Sequence, residues 1–113
     1  MKYMMFVVVD PDGTEDPSHT GPSISEWVED VDSRGKRLTG DRLRPATDAT
    51  TVRVSAGQVL VTDGPFTESK EWIAGFDILD CADLDEAIEI AARHPMANGN
   101  KLELRPFWPL GED

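Results

Sequence analysis

Six residues, Met4 to Val9 (MMFVVV), constrain this chain more than any other stretch. They are apolar without a break, end in β-branched residues and carry no helical period, the pattern of a strand covered on both faces. Whatever fold the chain adopts must therefore bury two sides of one sheet. With 113 residues it has room for one small domain, read here as residues 1–113, and for few elements to do that covering.

The rest of the chain supplies only two helices. Ser23-Ile24-Ser25-Glu26 follows the capping-box pattern, and Ile24, Trp27, Val28 and Val31 fall at helical spacing before Gly35, which predicts a helix over 24–34. Its outer face carries Glu26, Glu29, Asp30 and Arg34 and reads as solvated. Asp83-Leu84-Asp85-Glu86 opens a second helix, whose expected buried stripe is Leu84, Ala87, Ile88 and Ala91 and which Pro95 stops after His94.

Between and after the helices the periodicity is that of strands. Arg37 to Arg44 is a short strand candidate in which Gly40 marks a bulge or a close backbone approach. Thr50–Val54 and Gln58–Thr62 are joined by Ser55-Ala56-Gly57 into a tight hairpin. Trp72 to Cys81 alternates Trp72, Ala74, Phe76 and Ile78, a richly apolar side, against Ile73, Gly75, Asp77 and Leu79. Lys101 to Phe107 closes the series, ending at Pro106. The polar loop 10–22 (DPDGTEDPSHTGP) is long for its lack of structure and is the first place to expect a lid.

The expected class is therefore α+β: a ferredoxin-like βαββαβ arrangement with an inserted β-hairpin, its antiparallel sheet covered by two helices on one face. Two helices leave the other face bare. The economical cover is an identical subunit, so we expect a homodimer with its sheets packed face to face.

Composition excludes more than it identifies. With 22 acidic and 11 basic residues the chain carries a net charge of −11, which repels nucleic-acid phosphates and anionic lipid headgroups, so neither nucleic acid nor membrane is expected as a partner. The apolar run from Tyr3 to Val9 is too short for a signal sequence or a membrane span, and Cys81, the single cysteine, allows neither an internal disulfide nor a cysteine metal cluster. A cytoplasmic location is the expectation.

Several of these segments together resemble a known family. MKYMMFVVV, the TTVR strand at 50–53, VTDGPFTESKEWIAGF at 61–76, DLDEAIEIAARHP at 83–95 and LELRPF at 102–107 are similar to the YCII-related family in its DGPF-signature branch. The resemblance implies a dimeric α+β barrel. Members of that branch are spoken of as enzymes without an established activity, and better-studied YCII-type members look as though they use a histidine on the first helix with an aspartate near its end. Here the first helix has no histidine, so Asp32 lacks that partner and the dyad is not carried over.

What remains is a short set of candidate residues. Asp63 ends a strand among apolar neighbours; it reads either as an Asx turn onto Gly64 or Phe66, or as an acid at the rim of a cavity to which Lys70 and Glu71 return. His94 is either a cap of the second helix or the imidazole partner in acid/base work. Arg53 and Arg105 pair across the sheet with Glu71, Asp77 or Glu103, or Arg53 binds an anionic ligand. Phe66 and Trp72 belong to the core or line an apolar pocket. His19 reads as an exposed loop residue, and Cys81 as a small buried hydrophobe. No ligand spacing for a metal appears, and no cofactor is implied.

The leading expectation is thus a small-molecule binder, for an aromatic or carboxylated ligand, with cofactor-independent acid/base chemistry by Asp63 and His94 and ligand contacts from Arg53, Phe66, Lys70, Glu71 and Trp72. The rival is a non-catalytic interaction module whose acidic surface holds a protein; the resemblance implies partners such as sigma factors or other transcription regulators.

Overall fold

In the computed structural model, which describes residues 1–65 and 70–112, the strands and helices follow the expected order. β1 (Lys2–Val9), β2 (Arg37–Arg42), β5 (Trp72–Asp80) and β6 (Lys101–Pro106) form one antiparallel sheet in the order β2-β5-β1-β6. β3 (Thr50–Ser55) and β4 (Gln58–Asp63) pair only with each other, as a separate two-stranded sheet. The helices are α1 (Ile24–Ser33) and α2 (Leu84–Ala92). The result is a ferredoxin-like α+β fold with an added hairpin.

Local chemistry accounts for the helix starts. Ser23 Oγ accepts the Glu26 amide at 3.2 Å while Glu26 Oε1 accepts the Ser23 amide at 3.1 Å, a complete capping box. Asp83 Oδ1 caps α2 by accepting the Glu86 amide at 2.9 Å. Both helices then lay their buried residues on the same side of the sheet. Trp27 and Val31 of α1, with Ala87, Ile90 and Ala91 of α2, meet Tyr3, Met5 and Val7 of β1 and Leu79 of β5 in one core. The Trp27 indole N–H donates to the Ile90 carbonyl at 2.9 Å, tying the two helices together inside that core.

On α2 the expected stripe is turned. Ala87 and Ala91 are buried as anticipated, but Ile90 takes the third place, while Leu84 and Ile88 are each half exposed. Ile90 shares the core with Trp27, whose indole also meets the Ile90 backbone carbonyl.

The alternation along β5 has a consequence for the other face. The side carrying Gly75, Asp77 and Leu79 is the one under the helices, paired across from Val7, Met5 and Tyr3. The richly apolar side faces away: Phe76 stands opposite Phe6 and Ile78 opposite Met4, and all four are only partly buried. A polar carboxylate has thus been placed on the covered side of a strand whose apolar side is bare.

Loop 10–22 is held to the segment before β6. Asn100 Oδ1 accepts the Asp10 amide at 2.9 Å, and the Asn98 side chain both accepts from the Asp16 amide (2.8 Å) and donates to the Asp16 carbonyl (3.1 Å). Each asparagine acts as a stand-in for a strand neighbour.

Candidate functional site

A cavity of about 600 Å³ opens between α1, the turn after α2 and the β1, β5 and β2 strands. Its apolar wall comes from Val7, Ile24, Val28 and Met96, and its polar groups are Arg37, Asp41, Arg42, Asp77 and His94. That mixture, a mostly apolar hollow with a few fixed polar groups, is the usual make-up of a small-molecule site.

Asp77 is 7% exposed, and Arg37 Nε donates to its Oδ1 at 2.7 Å. The same guanidinium donates through one terminal nitrogen to Asp32 at 3.2 Å and through the other to the Gly40 carbonyl at 3.1 Å, so all its faces are taken. Gly40 makes room for this arrangement: a Cβ there would overlap Asp77 Oδ1 and lie 2.9 Å from the Arg37 side chain. The glycine in β2 is therefore a close-approach position.

Burial pushes the Asp77 carboxyl above its ordinary range, and the Arg37 hydrogen bond opposes that shift without cancelling it. No described polar side-chain atom is both buried and unpartnered, and Asp77 Oδ2 has no donor among the described residues. Oδ2 is consequently not sealed off, and Asp77 lines the cavity.

His94 is 2% exposed. It is the cap of the 3-10 turn Pro95–Ala97, with Nδ1 accepting the Met96 amide at 3.0 Å. Its ring stands edge-on to Trp27 at 4.7 Å between centroids, 65° from parallel. Burial pushes its pKa down to about 4, so it is neutral at physiological pH.

At the rim, Arg42 lies on β2 opposite Gly75, is exposed, and makes no ion pair among the described residues. It offers a bidentate donor to a carboxylate entering the cavity.

A second cleft, of about 500 Å³, is bordered by Leu43 to Ala46, Pro65, Glu71, Trp72 and Ile73. The residues singled out from sequence divide between these two places and the surface. His94 lines the first cavity, and Glu71 and Trp72 line the second. Asp63 is exposed at the end of β4, paired with Thr50, and lines neither. Gly64 after it takes φ +97° and donates to the Ala49 carbonyl at 2.6 Å, so the turn has the positive-φ glycine expected of it.

Arg53 stands exposed on the hairpin opposite Leu60, and the arginine that meets Asp77 is the partly buried Arg37. Lys70 is exposed and 3.9 Å from Asp12, while Glu71 accepts from Lys101 at 2.7 Å. Phe66 and its part in the turn lie outside the described residues.

Sequence reasoning missed Arg37, Arg42 and Asp77 as a group. One signal was present: a carboxylate in the middle of WIAGFDILD, on the same parity as Leu79. An acid on the covered side of a strand needs a partner, and a register putting Gly40 beside Asp77 brings Arg37 within reach.

An uncharacterized protein, R00369, of Rhizobium meliloti (strain 1021) is 49% identical over 68 residues, covering 58% of this chain and 55% of the relative, so the match spans about half that protein's length. The model of the YCII-related domain matches residues 1–110. By that match the chain belongs to the YCII-related domain family.

Proposed function

We propose that this protein binds a small, largely apolar molecule, aromatic or carboxylated, in the 600 Å³ cavity, and that Asp77 accepts or returns a proton there without a cofactor. The observation that carries the reading is that two buried titratable side chains, Asp77 and His94, line one apolar hollow. Buried acids and imidazoles with displaced pKa values mark sites where proton transfer is done. Arg37 fixes the orientation of Asp77, and Arg42 at the rim suits a carboxylate.

The test is an NMR screen with small aromatic aldehydes, ketones and carboxylates. Binding should move the amides of Val28, Gly40, Gly75 and Met96, and Asp77→Asn should keep binding while removing any proton exchange at the ligand. Shifts confined to Glu71, Trp72 and Ile73 would move the site to the second cleft and sink this reading.

We further propose that the working form is a homodimer through the open sheet face. Met4, Phe6, Phe76 and Ile78 are partly buried there without a helix above them. The radius of gyration, 16.5 Å, exceeds the roughly 13 Å of a compact chain this long, in keeping with a hairpin whose Val52, Val54, Val59 and Val61 are each more than 60% exposed. Among the described residues no helix is long and apolar enough to cross a membrane, and a cytoplasmic site of action is part of the proposal.

The rival reading, an acidic interaction module, draws less support from the first helix. There Asp30 pairs with Arg34 and Arg93, Asp32 with Arg37, and Glu26 is spent on its cap.

A further inference from the structure

We infer that His94 is a fixed hydrogen-bond donor, through Nε2–H, to a carbonyl oxygen of the ligand, which makes it a specificity-determining residue for carbonyl compounds. The inference rests on the cavity reading above and narrows it.

The argument starts from the ring's other nitrogen. Nδ1 accepts the Met96 amide at 3.0 Å, so its lone pair is used and the proton of the neutral ring must sit on Nε2. The ring cannot exchange the two nitrogens by flipping without abandoning that bond and the edge contact with Trp27. Nε2 finds no acceptor among the described residues, yet no described polar side-chain atom is buried without a partner. It is therefore reached from the cavity that His94 lines. Burial keeps the ring neutral, with its pKa at about 4, so the group presents one donor and no charge.

A neutral donor deep in an apolar hollow discriminates between ligand groups. An ammonium or amide N–H pointed at Nε2–H meets another hydrogen, and an aliphatic group leaves the donor unpaired, which is costly once water is displaced. A carbonyl oxygen satisfies it. With Asp77 lining the same cavity, a carbonyl so held has its oxygen on the donor and its carbon skeleton within the hollow that the carboxylate also lines. If the carboxylate takes a proton from the carbon next to the carbonyl, the C–H electron pair forms a carbon–carbon double bond and the carbonyl π pair moves to the oxygen, where the Nε2–H bond strengthens as negative charge grows.

Two substitutions separate the donor from the scaffold. In His94→Asn the side-chain oxygen takes the place of Nδ1 and can still accept the Met96 amide, but nothing reaches the Nε2 position. In His94→Gln the amide nitrogen reaches that position. The probes are acetophenone and ethylbenzene, alike in shape except for the carbonyl oxygen, titrated into the wild-type and variant proteins by NMR.

The expected result is a drop of about fivefold in the acetophenone-to-ethylbenzene affinity ratio in His94→Asn, with much of it restored in His94→Gln. A long-range proton–nitrogen correlation on the wild type should show Nδ1 bare and Nε2 protonated. An unchanged ratio in His94→Asn, with both probes moving the cavity amides, overturns the inference and leaves the cavity reading standing. A protonated Nδ1 overturns it as well. Failure of both probes to move any cavity amide overturns the cavity reading and the inference together.

Discussion

Acidification should weaken this fold through His94 before ordinary carboxylates are protonated. The imidazole is 2% exposed, with its pKa pushed by burial from 6.5 to about 4. A group whose folded value is depressed contributes stability that is fully present above its unfolded value and is lost as pH falls toward the folded one. For His94 the window runs from 6.5 down to about 4. Within it the unfolded chain takes up a proton that the folded chain refuses. Between pH 8 and pH 5 the loss comes to about 2 kcal/mol, approaching about 3 kcal/mol near pH 4. Asp77 acts in the opposite sense: its raised value means the folded state holds a proton more readily, so its share of stability is lost as pH rises through that value. Urea unfolding of the wild type and His94→Asn at pH 8, 6.5 and 5, at one fixed protein concentration, isolates the histidine because the other groups are common to both. The variant should lose about 2 kcal/mol less than the wild type over that range. A difference under about 0.5 kcal/mol would show that the ring is not held neutral and would undo the argument for its fixed donor.

Three further outcomes follow from particular contacts. Gly40→Ala should cost roughly 3 kcal/mol in chemical unfolding, because a Cβ overlaps Asp77 Oδ1 and opens a mostly buried ion pair; a loss below about 1 kcal/mol would mean the pair adjusts freely. Trp27→Phe should cost about 2 kcal/mol, since it removes the buried indole donor from the Ile90 carbonyl and leaves it only the Arg93 amide at 3.3 Å, as read by thermal or urea unfolding. Light scattering after size exclusion should give twice the mass of the 12.5 kDa chain, and Phe6→Glu on the open sheet face should halve it while keeping the far-ultraviolet spectrum; a monomeric wild type refutes the proposed assembly.

Much of the fold was legible because its signals are local. Ser23 with Glu26 and Asp83 with Glu86 are capping patterns that need no tertiary information, and both cap the helices they announce. Gly64 declares its positive φ by type. What periodicity cannot convey is which side of an amphipathic element is covered. Along β5 the more apolar side, with Phe76 and Ile78, is the bare one, and the side with Asp77 lies under the helices. On α2 the rotation buries Ile90 beside Trp27, sixty-three residues away in sequence, and bares Ile88.

The site was harder to read for a related reason. Arg37, Gly40 and Asp77 meet only through the pairing of β2 with β5, and His94 joins them only through the turn that follows α2. The DGPF segment drew attention by its density of polar and aromatic residues, yet Asp63 belongs to a different sheet from Asp77. His94 drew attention as one of two histidines in the chain, although its contact with Trp27 and its place in the cavity carry no sequence signature.

The most direct test of the central claim is a crystal structure of the protein soaked with acetophenone. The account predicts density for the ketone among Val7, Val28 and Met96, with its oxygen within hydrogen-bonding distance of His94 Nε2 and its methyl group toward Asp77. Density instead in the cleft beside Glu71 and Trp72, with the cavity under α1 left without ketone, would contradict it.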